Sequence, residues 1–131
     1  MKLFKSLFGS KPNNKEIVKK WLLSIEDEES LPDDIIAINF GLFEPFGIEM
    51  IGSKQYDAND DDWACEEDYV PKHRLCPSLI FTRSRTWQVV LEEMILLMKE
   101  LMVELPNLNI WKVKYITIGF NDGDLVVIKT M

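Results

Sequence analysis

The turn sequence Asn121–Asp122–Gly123–Asp124, set between two alternating runs, constrains this chain more than any other feature. Ile110, Lys112, Lys114, Ile116, Ile118 and Phe120 oppose Trp111, Val113, Tyr115 and Thr117. That period of two belongs to a strand. Leu125 to Lys129 resumes beyond the turn. Asp-Gly readily takes positive φ, which a tight hairpin demands. The C-terminal end is therefore expected as a β-hairpin, with strands from Ile110 to Phe120 and from Leu125 to Lys129.

The same reasoning places elements upstream. Ile36, Ile38, Phe40 and Leu42 alternate with Ile35, Ala37, Asn39 and Phe43, and Glu44–Pro45–Phe46–Gly47 supplies turn residues before Ile48 to Ile51. These segments are expected as a second hairpin, and Pro77 to Thr82 as a further short strand. Two stretches have helical spacing instead. Ile17, Val18, Trp21, Leu22 and Ile25 follow the capping residues Asn13 or Asn14 and end before Pro32. Trp87 to Leu105 follows Thr86 and stops at Pro106–Asn107. Its apolar stripe is wider than a single seam, as suits a helix lying on a sheet. Adjacent hairpins without a strand–helix–strand rhythm predict an α+β fold. It would be an antiparallel sheet of about five strands with two helices packed mainly on one face.

A length of 131 residues suits a single domain. Residues 14–131 are expected to form it, with residues 1–13 as a basic appendage. Leu3, Phe4, Leu7 and Phe8 share a helical face beside Lys2, Lys5 and Lys11. Gly9 and Pro12 cut that face short, so residues 1–11 would make only weak contact with anionic lipid. No apolar run is long enough to span a membrane, and MKLFKSLFGSK lacks the apolar stretch of a secretory signal. Cys65 and Cys76 are too few for a disulfide framework. The expected location is the cytoplasm, with both thiols free.

Charge is distributed unevenly. Residues 1–20 hold six lysines against one acid, while the remainder holds nine cations against 21 acids. Within residues 55–70 stand Asp57, Asp60, Asp61, Asp62, Glu66, Glu67 and Asp68, with no Lys or Arg. Such a chain is a poor binder of nucleic acid, whose affinity depends on cations that release counterions. Concentrated acid does create a field that attracts a basic partner. Tyr56, Trp63 and Tyr69 lie among these acids. Aromatics anchor protein interfaces and complementary charge speeds encounter, so the loop is a candidate surface for a basic protein. Trp63 has a second reading, as a core anchor that pins the loop. Asp122 and Asp124 would join the rim if hairpin tip and loop share one end of the fold.

Catalytic and metal chemistries find little footing. His73 is the single histidine, and no G-x-S-x-G elbow, phosphate loop or dinucleotide fingerprint is present. Cys65, His73 and Cys76 lack the paired spacing of zinc ligands. Asp57, Asn59, Asp61 and Asp68 fall at positions one, three, five and twelve of a calcium-loop pattern, but Asp62 stands where the sharp turn needs glycine. A divalent cation on the 57–68 acids is therefore the alternative reading. No cofactor is expected.

Two segments carry a resemblance: Asp60–Asp61–Asp62–Trp63–Ala64–Cys65–Glu66–Glu67–Asp68–Tyr69 and Ile118–Gly119–Phe120–Asn121–Asp122–Gly123–Asp124–Leu125. Together with size, acidity and element order over residues 35–131, they make the chain similar to small acidic bacterial immunity proteins of polymorphic toxin systems. The resemblance implies a non-enzymatic inhibitor that binds a cognate toxin, often a basic nuclease, in the producing cell. The contact set would be Tyr56, Asp57, Asp60, Asp61, Asp62, Trp63, Glu66, Glu67, Asp68 and Tyr69, with Asp122 and Asp124 at the rim.

Overall fold

The computed structural model describes residues 13–44, 46–81 and 86–130. The basic stretch 1–11, and with it the expected lipid contact, lies outside them. Helix α1 runs Asn14–Glu28, and the Asn13 side chain accepts from the Glu16 amide, as an N-cap should. Helix α2 runs Trp87–Glu104 behind Thr86, whose hydroxyl accepts from the Val89 amide. Among the described residues, no helix is long and apolar enough to cross a membrane.

Four strands form one sheet: β1 (Ala37–Phe43), β2 (Gly47–Ser53), β3 (Tyr115–Phe120) and β4 (Val126–Thr130), in the order β2-β1-β3-β4. Both expected hairpins are present, β1 with β2 and β3 with β4. The sheet is nevertheless mixed, because β1 and β3 run parallel at its centre, Ile38 opposite Ile116 and Phe40 opposite Ile118. The chain leaves β2, crosses through the acidic loop and α2, and returns beside β1 in the same direction. Parallel neighbours need such a crossover. Both central strands are buried on both faces for nearly their whole length, the signature of parallel strands covered on each side.

Two expected strands do not form as such. Residues 77–81 are not extended into the sheet, because the Asn14 side chain takes both backbone groups of Ile80. Asn14 Nδ2 donates to its carbonyl at 2.8 Å, and Asn14 Oδ1 accepts from its amide at 2.6 Å. A 3-10 turn replaces the strand over Asn109–Lys112. It buries Ile110 and the adjacent Trp111 in the same core cluster, whereas successive residues of a strand point to opposite faces. The Trp111 indole donates to the Leu105 carbonyl at 2.9 Å and so closes the end of α2.

The core lies between the helices and one face of the sheet. Val18, Trp21, Leu22 and Ile25 of α1 and Val90, Met94, Met98 and Leu101 of α2 meet Ile38, Phe40, Leu42, Ile48, Met50, Ile116 and Ile118. Both helices therefore cover the same face. Trp21 and Phe40 meet edge-on at 6.2 Å, and the Trp21 indole donates to the His73 carbonyl at 2.6 Å. Lys15 pairs with Glu104 and Glu100 across the two helices. Phe46 closes the β1–β2 turn at a φ of 91°, a strained value for a residue with a Cβ. Its ring is held between Phe81 and Phe120 at 5.6 and 6.3 Å.

Candidate functional site

The opposite face of the sheet belongs to the acidic loop. On β1 that face carries Ala37, Asn39 and Gly41, and all three are buried. On this side a short 3-10 helix, Asp61–Cys65, is capped by Asp60, whose Oδ1 accepts from the Asp62 amide at 2.9 Å. Trp63 is 5% exposed and fastens this helix inward. Its ring lies 5.3 Å from Tyr56, which in turn stacks on Tyr115 of β3 at 3.8 Å with only 8° between the planes. Of the two readings of Trp63, burial favours the anchor.

Backbone hydrogen bonds also fix the loop at both ends. Gly52 and Tyr69 exchange both of theirs, at 2.8 and 3.0 Å. Cys76 donates to Ile48 and Met50 to Arg74, at 3.0 and 3.1 Å. The returning chain thus covers the outer edge of β2, which would otherwise present unpaired groups. Asp68 Oδ2 accepts from the Lys54 amide at 2.7 Å, and Asp57 Oδ1 from the Asn59 amide at 2.9 Å. The Tyr69 hydroxyl donates to Glu29 Oε1 at 3.0 Å. Desolvation first, and then the hydrogen bond to Glu29, push its pKa up, so the phenol stays protonated.

Hairpin tip and loop meet at one end. Asp61 Oδ2 accepts from the Leu125 amide at 3.1 Å. That bond changes the turn expected from Asp-Gly. Neither Asp122 nor Gly123 takes the left-handed conformation. The Gly123 amide instead donates to the Phe120 carbonyl at 2.9 Å, and the strand resumes only at Val126. A tertiary partner for Leu125 has replaced the tight two-residue turn with a wider one.

Between loop, hairpin and sheet lies a cleft of about 470 Å³. Asp61, Asp62, Glu67 and Asp122 line it together with Asn39, Glu49, Cys65 and Arg74. Arg74 sits between two carboxylates, donating from Nε to Glu49 Oε1 at 2.7 Å and from Nη1 to Glu67 Oε1 at 2.9 Å. The hydrogen bonds to Glu67 and then Glu49 raise its already high pKa. Glu49 Oε2 accepts from Asn121 Nδ2 at 3.0 Å. A shallower hollow of about 170 Å³ gathers Asp57, Asp60, Asp62, Trp63 and Glu66. The expected contact residues therefore divide by role. Asp57, Asp60, Asp61, Asp62, Glu66 and Glu67 are exposed on the loop, and Asp122 and Asp124 on the hairpin. Tyr56, Trp63, Asp68 and Tyr69 are engaged in holding the loop in place. Glu49, Arg74, Asn121 and Asn39 join the site without having been foreseen, since they come from two strands, the loop's return and the hairpin tip.

No family model matches the chain, and no curated protein or solved structure matches it either. Function must then be argued from the site. Among the described residues, no three His, Cys, Asp or Glu side chains are grouped to hold a metal ion. Both cysteines are free. Cys65 lines the cleft while Cys76 belongs to the helix-side core, so the sheet separates them. His73 Nε2 lies 3.0 Å from the Glu28 carboxylate instead.

Proposed function

We propose that this chain is a non-enzymatic binding protein, an immunity-type inhibitor that masks a basic protein partner with the acidic face of residues 57–68. The partner we favour is a basic nuclease toxin in the cytoplasm of a bacterial producer. One observation carries the reading. Asp61 and Asp62, with Asp60 capping them, stand on a short helix that Trp63 and the Tyr56–Tyr115 stack fix to the sheet, and residues 55–70 hold no Lys or Arg of their own, Arg74 pairing with Glu67 from outside. A charged surface held rigid before binding loses less entropy on association and steers a cationic partner into place. Several desolvated carboxylates set against catalytic Lys or Arg would compete with a phosphate backbone.

The alternative, a divalent cation on the same acids, has weaker support. Asp57, Asp60, Asp61 and Asp68 each already accept a backbone amide through one carboxylate oxygen.

The test is kinetic. The partner is captured from producing cells, and its association with the wild type is compared with that of the Asp60→Asn/Asp61→Asn/Asp62→Asn variant. Asparagine keeps an acceptor oxygen at each position, so the fold should survive. Association at low salt should slow by about tenfold, with the difference shrinking as salt rises. Unchanged rates at low salt, or an acidic captured partner, would refute the masking role.

A further inference from the structure

The hairpin tip also borders a second cavity, of about 520 Å³. It shares only residues 121–123 with the acidic cleft and includes none of residues 57–68. Three aromatic residues line it: Phe43 from the end of β1, Phe120 from the end of β3 and Trp87 from the start of α2. The rings of Trp87 and Phe120 meet at 6.1 Å with 83° between their planes. Two rings at right angles make a corner that can wall a rounded group on two sides. Trp87 is 52% exposed, whereas Trp21, Trp63 and Trp111 are buried. A half-exposed indole beside a cavity is apolar surface that gains from a ligand. The polar lining has one sign of charge. Glu44 and Asp122 are both exposed and border the cavity, and no Lys, Arg or His stands among its described lining residues. Ring faces carry a negative potential, so rings and carboxylates attract the same kind of ligand, a cation. Trp87 opens α2, and a helix start carries about half a positive charge, which two full carboxylate charges outweigh.

We propose that this cavity binds a small quaternary ammonium compound, with its trimethylammonium head in the aromatic corner and Glu44 and Asp122 balancing its charge. A primary ammonium fits less well, because it would shed hydrogen-bonded water that ring faces do not replace. A trimethylammonium group has no N–H to leave unsatisfied and presents methyl groups to the rings. The volume is that of a small-molecule site and leaves room for the chain that carries the head. The site goes beyond the masking reading and does not depend on it, since the 57–68 acids take no part.

Trp87 provides the readout. Acrylamide is an uncharged collisional quencher, and it reaches a half-exposed indole far more readily than three buried ones. A head group of this size, held by ring faces and rim carboxylates, should bind with a Kd of about 1 mM. Choline at about 10 mM then fills about nine-tenths of the sites and should lower the acrylamide quenching constant by about threefold at matched ionic strength. Three further probes are compared under the same conditions. They are dimethylbutanol, the neutral isostere with carbon in place of the nitrogen; ethanolamine, the unmethylated counterpart; and Nα-acetyl-Nε-trimethyllysine methylamide, which mimics a methylated side chain on a protein. The first two should protect Trp87 far less than choline does, and the third no better than choline. Glu44→Gln combined with Asp122→Asn, both at exposed positions, should weaken choline binding by about threefold with an unchanged circular dichroism spectrum. Any of four results would overturn the proposal: no protection by choline, equal protection by dimethylbutanol or ethanolamine, tighter binding of the trimethyllysine probe, or choline binding indifferent to the loss of both carboxylates.

Discussion

Replacing Trp63 with alanine tests whether the acidic loop is a built surface or a solvated strap. The indole is 5% exposed and meets Tyr56 at 5.3 Å. Burying a side chain of this size removes roughly 150–250 Å² from water, worth about 4–6 kcal/mol at about 25 cal/mol per Å². Trp63 stands apart from the helix-side cluster, covered by a loop that can settle or admit water. The loss should therefore fall near the low end for large-to-small changes, about 3 kcal/mol. With a urea slope of about 2 kcal/mol per M, the midpoint should drop by about 1.5 M. Hydrogen exchange locates the effect. The Leu125 amide donates to Asp61 on the same short helix, so it should lose protection. Amides of the β1–β3 ladder should fall only with global stability. Trp63→Phe should recover part of the loss. With every acid retained, partner association should still weaken, because the rim is no longer held rigid. A destabilisation under about 1 kcal/mol, or an unchanged Leu125 exchange rate, would refute the anchoring role.

Other perturbations probe separate parts of the fold. A methyl group at Gly119 would meet the Asp124 carbonyl oxygen at 2.6 Å and Leu125 Cα at 3.1 Å, both on the main chain. Gly119→Ala should therefore cost about 1–3 kcal/mol in thermal or urea unfolding and disturb the hairpin tip. Burial raises the Cys76 thiol from 9.0 to about 12. Above pH 9 the unfolded chain releases that proton and the folded chain does not, so stability is full below pH 9 and falls as pH rises towards 12. Cys76→Ala should flatten that alkaline decline in pH-dependent unfolding, although it also leaves a small cavity. Calorimetry with calcium, magnesium and manganese should show no sub-millimolar site on residues 57–68, and a stoichiometric one would favour the cation alternative over masking.

Much of the secondary structure was legible because its causes are local. Asn13 and Thr86 cap the helices where short-range capping chemistry puts them, and alternation marked β1, β2 and β3. Other expectations failed wherever a distant group intervened. Asn14 reaches across 66 residues to take the backbone of Ile80, and no local pattern at 77–82 announces that. Adjacent Ile110 and Trp111 both needed burial beside α2, so the alternating run broke into a turn. The parallel pairing of β1 with β3 was not foreseen, because the second face of these strands carries Asn39, Gly41, Thr117 and Gly119 and so shows no continuous apolar run although it is buried.

For the site, sequence alone determined the inventory: seven acids and three aromatics between residues 55 and 70, with no Lys or Arg among them. Composition fixes charge, and charge fixes the sign of partner the surface can attract. Only the tertiary structure decided what each group does. It turned Trp63 and Tyr56 inward, engaged Asp68 and Tyr69 in holding the loop, and brought the hairpin tip against the 3-10 helix. It also set Arg74 between Glu49 and Glu67 and left one half of the buried Asn39 amide facing the cleft. Such roles depend on which groups meet once the chain has crossed the sheet and returned. A contact between residues dozens of positions apart leaves no periodic trace in either segment.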